Sequence, residues 1–403
     1  MTKKTAENLL AINGGTPVTG QTVPYHRPSF SQAEIAGATR VIESAQVAGP
    51  GIYCKKVENF LKDSWSVPGI FTTTSCTHAL EVALQTLDLQ SGDEVIVPAF
   101  TYVSTALAVV QAGGRPVFAD IDSDTLTLTP ETIQPALGRR TRGVIMVHYG
   151  GFPGPVERLF KYCEERDIFL IEDAAQAFGS SATGRPTGTF GRFGVFSFHG
   201  TKSISCGEGG ALVVNNPADL KPVMMIRDKG TDRTLSCRGD NDRYTWRSRG
   251  SSYVLSDILG AVLWEQLKRW PGLKRRRLAV QARLVARLKE LDESSLFGFV
   301  RPPDGVETNG HITAFLLDSV SGRDWLLDAL QAEGIEAREH YHPLHLTPYA
   351  RENLSPPETL PVAEKIAATI VRVPCYPALE NSEIDRIVEA FEKLYPVFER
   401  VFR

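Results

Sequence analysis

Four short apolar runs recur after Asp93: EVIVPAF, RPVFADI, GVIMVHY and IFLIEDA, each separated from the next by a helix-compatible segment such as Tyr102–Ala112 or Pro155–Arg166. Val/Ile-rich strands with almost no alternation bury both faces, and their spacing by helices predicts a mostly parallel α/β sheet covered on both sides. Ligands on such a sheet sit beyond the carboxyl ends of its strands. The residues to inspect are therefore Phe100–Tyr102, His148-Tyr149 and the stretch from Glu172 to Gln176.

The remaining composition narrows the class. At 403 residues, with 42% hydrophobic and 23% charged side chains, the chain is long enough for two or three domains and a large core. A formal net charge of −3 gives no reason to expect nucleic acid or an acidic membrane surface as a partner. Six cysteines without a C-x-x-C pair suggest neither a disulfide framework nor a zinc ribbon. No apolar run reaches the length of a membrane span, and MTKKTAENLLAINGG lacks a signal-peptide core, so a cytoplasmic enzyme is the expectation.

A second stretch carries candidate chemistry. In Phe193–Val214, FGVFSFHGTKSISCGEGGALVV, two apolar runs predict buried strands, and the Gly-rich segment between them is a loop that carries Lys202. A lysine set among Ser, Thr and glycines is suited to condense with an aldehyde cofactor, or it is an ordinary turn lysine.

Upstream, Ser31 and Glu34 form a capping-box pattern opening a helix toward Ser44, and Lys55–Trp65 is a second helix candidate. In TSCTHALEVAL the small hydroxyl residues precede a helical apolar pattern. That order puts Ser75, Cys76 and Thr77 at a helix N-terminus, either a plain cap or an anion site. Asp173 falls at a strand end, where its carboxylate needs a cationic partner or serves as an N-cap. Tyr102 either lies on an aromatic ligand or packs.

Taken together, the order Ser75–Thr77, Tyr102, Asp173, Ser197, Lys202 resembles the fold-type I pyridoxal-phosphate enzymes. More narrowly, the chain is similar to the sugar aminotransferases of the DegT/DnrJ/EryC1/StrS family. The motifs TSCTHAL, GDEVIVPAFTYVST, PVFADID, IEDAAQAFGS, GTFGRFGVFSFHGTKSISCGEGG, IRDKGTDR, GSSYVLSDILGAVLWEQL and HYHPLH carry the likeness, from about Gly51 to Leu346.

The resemblance implies pyridoxal 5'-phosphate as cofactor and Lys202 as its Schiff-base lysine and proton shuttle. It further implies that Asp173 pairs with the pyridine nitrogen, Gln176 with the ring hydroxyl, and Tyr102 with the ring face. Ser75, Cys76 through its amide, Thr77 and Ser197 would hold the phosphate. A dehydratase branch carries His in place of the lysine, so Lys202 favours aminotransfer. Many members place an Asn in the segment matching Gly250–Asp257, reaching the neighbouring subunit's cofactor. This chain reads GSSYVLSD, which leaves Ser251 or Ser252 for that contact and implies a homodimer with shared sites.

L-glutamate is the family's usual donor, and a nucleotide-activated keto sugar is the expected acceptor. The block from Ile226 to Leu267 is similar to enzymes that aminate C4 of dTDP-4-keto-6-deoxyglucose to give dTDP-4-amino-4,6-dideoxygalactose. Arg238, Tyr244, Trp246 and Arg247 are its substrate candidates, with His199 and His345 beside them. AINGGTPV instead resembles aminocyclitol and aminobenzoate-forming relatives, and Gly200 stands where the C4 enzymes commonly carry Glu. A 3-keto sugar or a keto-cyclitol is thus an alternative acceptor, and a non-catalytic cofactor-binding regulator is an alternative class. No G-x-G-x-x-G or Walker A pattern supports a dinucleotide or P-loop enzyme.

The expected layout is an N-terminal arm over 1–30 with little core of its own, a large cofactor-binding domain over 31–265, a linking helix over 266–295, and a small α+β domain over 296–403. The basic helix around Leu267–Leu291 reads as a solvated link. His340, His342 and His345 lack a companion ligand at metal spacing, and no metal is expected. In the family the HY-P-H segment closes over the site.

Overall fold

The computed structural model describes residues 9–233 and 244–403. Its centre is a seven-stranded sheet built from β1 (Gly69–Thr73), β2 (Glu94–Pro98), β3 (Arg115–Ala119), β4 (Thr141–Val147), β5 (Phe169–Asp173), β6 (Phe193–Ser197) and β7 (Gly210–Val214). The spatial order is 3-2-4-5-6-7-1. The four pairs from β3 to β6 are parallel, whereas β7 runs antiparallel to both β6 and β1. Every residue of β6 and β7 is buried, as expected for strands covered on both faces.

The helices on this sheet start where their capping residues stand. Ser31 and Glu34 close a capping box at Gln32–Glu43. The second helix begins at Ile52, three residues before the expected Lys55, because the carboxylate of Asp257 caps it by accepting from the amides of Tyr53 (3.2 Å) and Cys54 (2.8 Å). Helix Cys76–Thr86 lays Ala79, Leu80, Val82, Ala83 and Leu84 into the sheet core. Each fully buried leucine there contributes about 2 kcal/mol. The helix after β2 is shorter than expected, Ser104–Gln111.

The second lobe holds β8 (Gly298–Phe299), β9 (Thr313–Leu316) and β10 (Ile370–Val373), antiparallel in that order, under helices Val320–Ala332 and Asn381–Phe402. Gly334 ends the first of these helices' connection in a left-handed turn, φ 86°.

Two expectations change here. The linking helix begins at Asp257, not Gln266, and runs unbroken for 35 residues to Leu291. It is no solvated connector: Leu263, Leu267 and Leu273 join the core behind β6 and β7, while Val280, Leu284 and Leu288 join the core of the second lobe. Between the two sets the Arg277 guanidinium is 1% exposed and donates to the Cys375 carbonyl at 2.8 Å. A charged-looking segment hid its apolar stripe because basic residues interrupt it in sequence but not on the buried face.

The N-terminal arm also packs firmly. Leu10 and Val23 enter the second lobe's core. Glu333, fully buried, accepts from the amides of Ala11 (3.0 Å) and Val18 (2.9 Å), and Val23 pairs with Ile335. The arm thereby delivers Tyr25 and His26 to the cavity described next.

Among the described residues no helix is long and apolar enough to cross a membrane.

Candidate active site

A cavity of about 630 Å³ opens beyond the carboxyl ends of the parallel strands, walled on its far side by the second lobe and the arm. Ser75, Cys76, Thr77, Tyr102, Asp173, Gln176, Ser197, His199 and Lys202 all line it. Those nine are spread over 128 positions of the chain, and one sheet edge collects them.

At one end lies the N-terminus of helix Cys76–Thr86. Ser75 caps it by accepting from the amide of His78 at 3.1 Å. The amides of Cys76 and Thr77 precede any intrahelical acceptor and are left directed out of the helix, where the helix dipole favours an anion. The turn approaches β7 closely because residue 210 is Gly; a Cβ there would lie 2.4 Å from the Ser75 carbonyl carbon. Thr77 and Ser104 share a hydrogen bond of 2.8 Å between hydroxyls. Burial pushes the Cys76 thiol well up, so it stays protonated.

At the other end Asp173 terminates β5, 5% exposed. Its carboxylate accepts from Thr105 Oγ1 at 3.0 Å and from the Ala175 amide at 3.1 Å. Two donors fill about half of the sites a carboxylate offers. Desolvation raises its pKa; the two hydrogen bonds and the positive charge of Lys202 oppose that rise.

Lys202 sits on the loop between β6 and β7. The loop is closed by the Phe198 amide donating to Gly209 (2.8 Å) and the Cys206 amide to Phe198 (3.0 Å), and the Lys202 amide donates to His199 at 2.9 Å. Desolvation lowers its ammonium pKa, against the pull of Cys76 and Asp173, and Arg372 lowers it further. Its side chain makes no ion pair among the described residues.

Gln176 is held at both ends: its carbonyl accepts from Gly150 N (2.7 Å) and its amide donates to Tyr341 Oη (2.8 Å). Ser197 Oγ accepts weakly from the His199 amide at 3.4 Å. Tyr102 is 60% exposed and tilts toward Tyr341, ring centroids 6.3 Å apart.

Other expected residues lie elsewhere. His345 is fully buried off the cavity of this chain, 3.1 Å from Glu364, because the Leu344–Leu346 turn seats Leu344 in the main core and aims His345 at helix Pro361–Thr369. Tyr244 (53% exposed) and Trp246 (81%) stand outside the cavity of this chain. Arg247 pairs with Asp232 at 2.7 Å, and Ser252 is exposed in a bridge with Asp228. Arg238 lies outside the described residues. Among the described residues no group of three or more His, Cys, Asp or Glu is arranged to hold a metal ion. His340 stacks on Tyr341 instead and bonds Tyr149.

The cavity also holds residues that sequence reasoning missed: Tyr25, His26, Arg338, Tyr341 and Arg372. Only Tyr341 stood in a quoted motif, HYHPLH; the others carry no local signal.

The match to known proteins decides what the cavity belongs to. The model of the DegT/DnrJ/EryC1/StrS aminotransferase family matches residues 28–392. The chain belongs to this family. Among solved structures it is similar to the aminotransferase TlmJ from Streptoalloteichus hindustanus, at 27% identity and TM-score 0.86 over 93% of this chain and 100% of that one. The PLP-form of a putative sugar aminotransferase, Spr1654 from Streptococcus pneumoniae, matches at 27% identity and TM-score 0.85 over 95% and 100%. DesI, solved in the presence of its TDP-sugar product, matches at 27% and TM-score 0.85 over 96% of each chain.

The aminotransferase is thus an enzyme that uses pyridoxal 5'-phosphate, and the cavity suits that molecule. The buried, half-satisfied carboxylate of Asp173 suits a protonated pyridine nitrogen. The free amides at Cys76 and Thr77 suit a phosphate, and the desolvated amine of Lys202 suits an aldehyde.

Proposed function

We propose that this aminotransferase moves an amino group from L-glutamate to a nucleotide-activated keto sugar. The acceptor in this reading is dTDP-4-keto-6-deoxyglucose and the product dTDP-4-amino-4,6-dideoxygalactose. The observation that carries the amino transfer is the placement of the desolvated Lys202 amine and the buried Asp173 carboxylate in one cavity with a helix N-terminus; the acceptor rests on the likeness of the Ile226–Leu267 block to C4-aminating enzymes.

Bound pyridoxal phosphate supplies an electron sink for the carbon that loses its proton. The chain's residues do the rest. Ser75, Thr77, Ser197 and the Cys76 amide would hold the cofactor's phosphate. Asp173 would hold a proton on the pyridine nitrogen, Tyr102 would cover the ring, and Gln176 would meet its hydroxyl. Lys202, its pKa lowered by burial, has more neutral amine at neutral pH than a solvated lysine; it takes the proton from the donor carbon and returns one to the acceptor carbon. His199, Arg247, Trp246 and Tyr244 are retained for the nucleotide sugar, with Arg238.

The exposure of Tyr102, Trp246, Tyr244 and Ser252 in one chain supports a homodimer whose partner completes the site. Exposed Ile35, Ile42, Ile52 and Phe60 add an apolar surface for it. Light scattering of the purified chain is expected to give twice the 44.3 kDa mass.

The test is incubation with pyridoxal phosphate, L-glutamate and dTDP-4-keto-6-deoxyglucose, read by mass spectrometry, with NMR couplings for C4. An axial C4 amine supports the acceptor. No product, with the cofactor absorbance still responding to glutamate, moves the acceptor to a 3-keto sugar or a cyclitol.

A further inference from the structure

In the same cavity as Lys202 and Asp173, two arginines are set directly against each other. Arg338 and Arg372 form an antiparallel bridge, each amide donating to the other's carbonyl at 2.9 Å. Like charges directly opposite across a ladder repel, and both residues line the cavity. Arg338 is 59% exposed and meets Glu336 at 3.5 Å. Arg372 is 6% exposed and has no carboxylate partner among the described residues.

Its hydrogen bonds are both neutral: one to Tyr25 Oη and one to the Glu339 carbonyl at 2.9 Å. Its Nε is buried without a partner among the described residues. Tyr25 lies beneath both guanidinium groups, 4.8 Å from Arg372 and 5.9 Å from Arg338 to the ring centroid. The Glu336 carboxylate is already taken by the Tyr25 amide at 3.0 Å and by Arg338. A buried guanidinium without a counter-ion is costly, and an anion entering the cavity would relieve both that cost and the repulsion.

We infer that Arg372, positioned by Tyr25 and backed by Arg338, anchors a carboxylate of the amino-acid donor. The inference rests on the proposed reading of an amino-acid donor. A compact carboxylate reaches a guanidinium that is 6% exposed and has spare N–H donors, and bidentate capture suits arginine. A diphosphate carrying a nucleoside and a sugar is far bulkier and suits the 59% exposed Arg338 better than the 6% exposed Arg372. Arg372 is thus a specificity residue, selecting donors by charge, and Tyr25 is a positioning residue contributed by the arm.

The test measures binding of glutarate, a dicarboxylate with no amine to transfer, to the holoenzyme by calorimetry, together with the two half-reactions followed separately by cofactor absorbance. In Arg372→Gln, glutarate binding is expected to weaken at least about tenfold, the size of a charge-assisted hydrogen bond. The KM for glutamate should rise similarly with kcat little changed, and the KM for the keto sugar should stay put. Arg372→Lys should recover part of the loss. Unchanged glutarate binding in a folded Arg372→Gln protein, or a loss confined to the sugar half-reaction, overturns the inference.

Should Arg372→Gln fail to fold, Tyr25→Phe keeps the charge but frees its orientation; a KM for glutamate raised about threefold supports the anchor, and an unchanged one overturns it. If the wild type binds glutarate through Arg372 but does not react with glutamate, the anchor stands and the donor identity fails.

Discussion

Two carboxylates stand side by side at the end of β5, and their fates differ completely. Glu172 faces the back of the sheet, fully buried. It accepts from the amides of Phe190 (2.6 Å), Gly191 (2.8 Å) and Gly188 (2.7 Å), and lies 3.0 Å from His148 Nε2. Asp173 faces the cavity with two donors among the described residues. The protein saturates the first carboxylate and leaves the second unfinished. Strand alternation alone puts the two on opposite faces, and the glycine turn after it, with Gly188 at φ 82°, brings the amides to Glu172. The lesson is that burial of a charge marks structure when donors surround it and marks function when a cavity does.

The largest effect is expected on the functional side. Lys202→Ala is expected to lower both half-reactions by at least about 10³-fold while the circular dichroism spectrum and melting profile remain those of a folded protein, since the residue stands on a loop. Comparable turnover in the variant would remove Lys202 from the reaction.

Asp173→Asn comes next. Loss of the carboxylate should cut turnover by about 10²-fold or more. Because desolvation raises its folded pKa, the ionised form is disfavoured in the fold, so the residue costs stability as pH rises above the unfolded value of 3.8. The cofactor-free Asn variant should therefore melt no lower than wild type at neutral pH, a reading obtained by calorimetry.

Glu172→Gln sharpens the contrast from the other side. An amide there would turn an NH2 toward backbone N–H groups, costing about 3 kcal/mol in denaturant titrations, while activity per folded molecule stays close to wild type. A smaller effect comes from the arm. His26 bonds the Gly200 carbonyl at 2.8 Å, and burial first, then Arg277, lowers its pKa from the ordinary 6.5 to about 4. A depressed histidine keeps its neutral form in the fold, so stability is full above pH 6.5 and falls between 6.5 and about 4. His26→Gln should flatten part of that slope in melting curves taken across the window.

What the sequence disclosed follows from range. The strands of the main sheet, the Ser75 cap and the Lys202 loop are written in runs of under 25 residues, where periodicity and punctuation act locally. Asp173 was legible because a strand end is a local event. That Glu172 is saturated was not, since its donors come from a turn 16 to 19 residues on. Tyr25 and Arg372 meet across 347 positions, and no local pattern foretells that contact. The burial of His345 off the cavity is hidden for a related reason: one turn at Pro343 decides which way it points. The long helix reads as solvated because basic residues such as Arg277 interrupt its apolar stripe, whereas Arg277 is buried between two cores.

The central claim is that the cavity beneath Asp173 takes the cofactor on Lys202. Borohydride reduction of the pyridoxal-phosphate-loaded enzyme, digestion and mass spectrometry test it directly. The pyridoxyl label is expected on the peptide containing Lys202 and is expected to be lost in Lys202→Ala. A label on another lysine, or none in a protein that holds the cofactor, would contradict it.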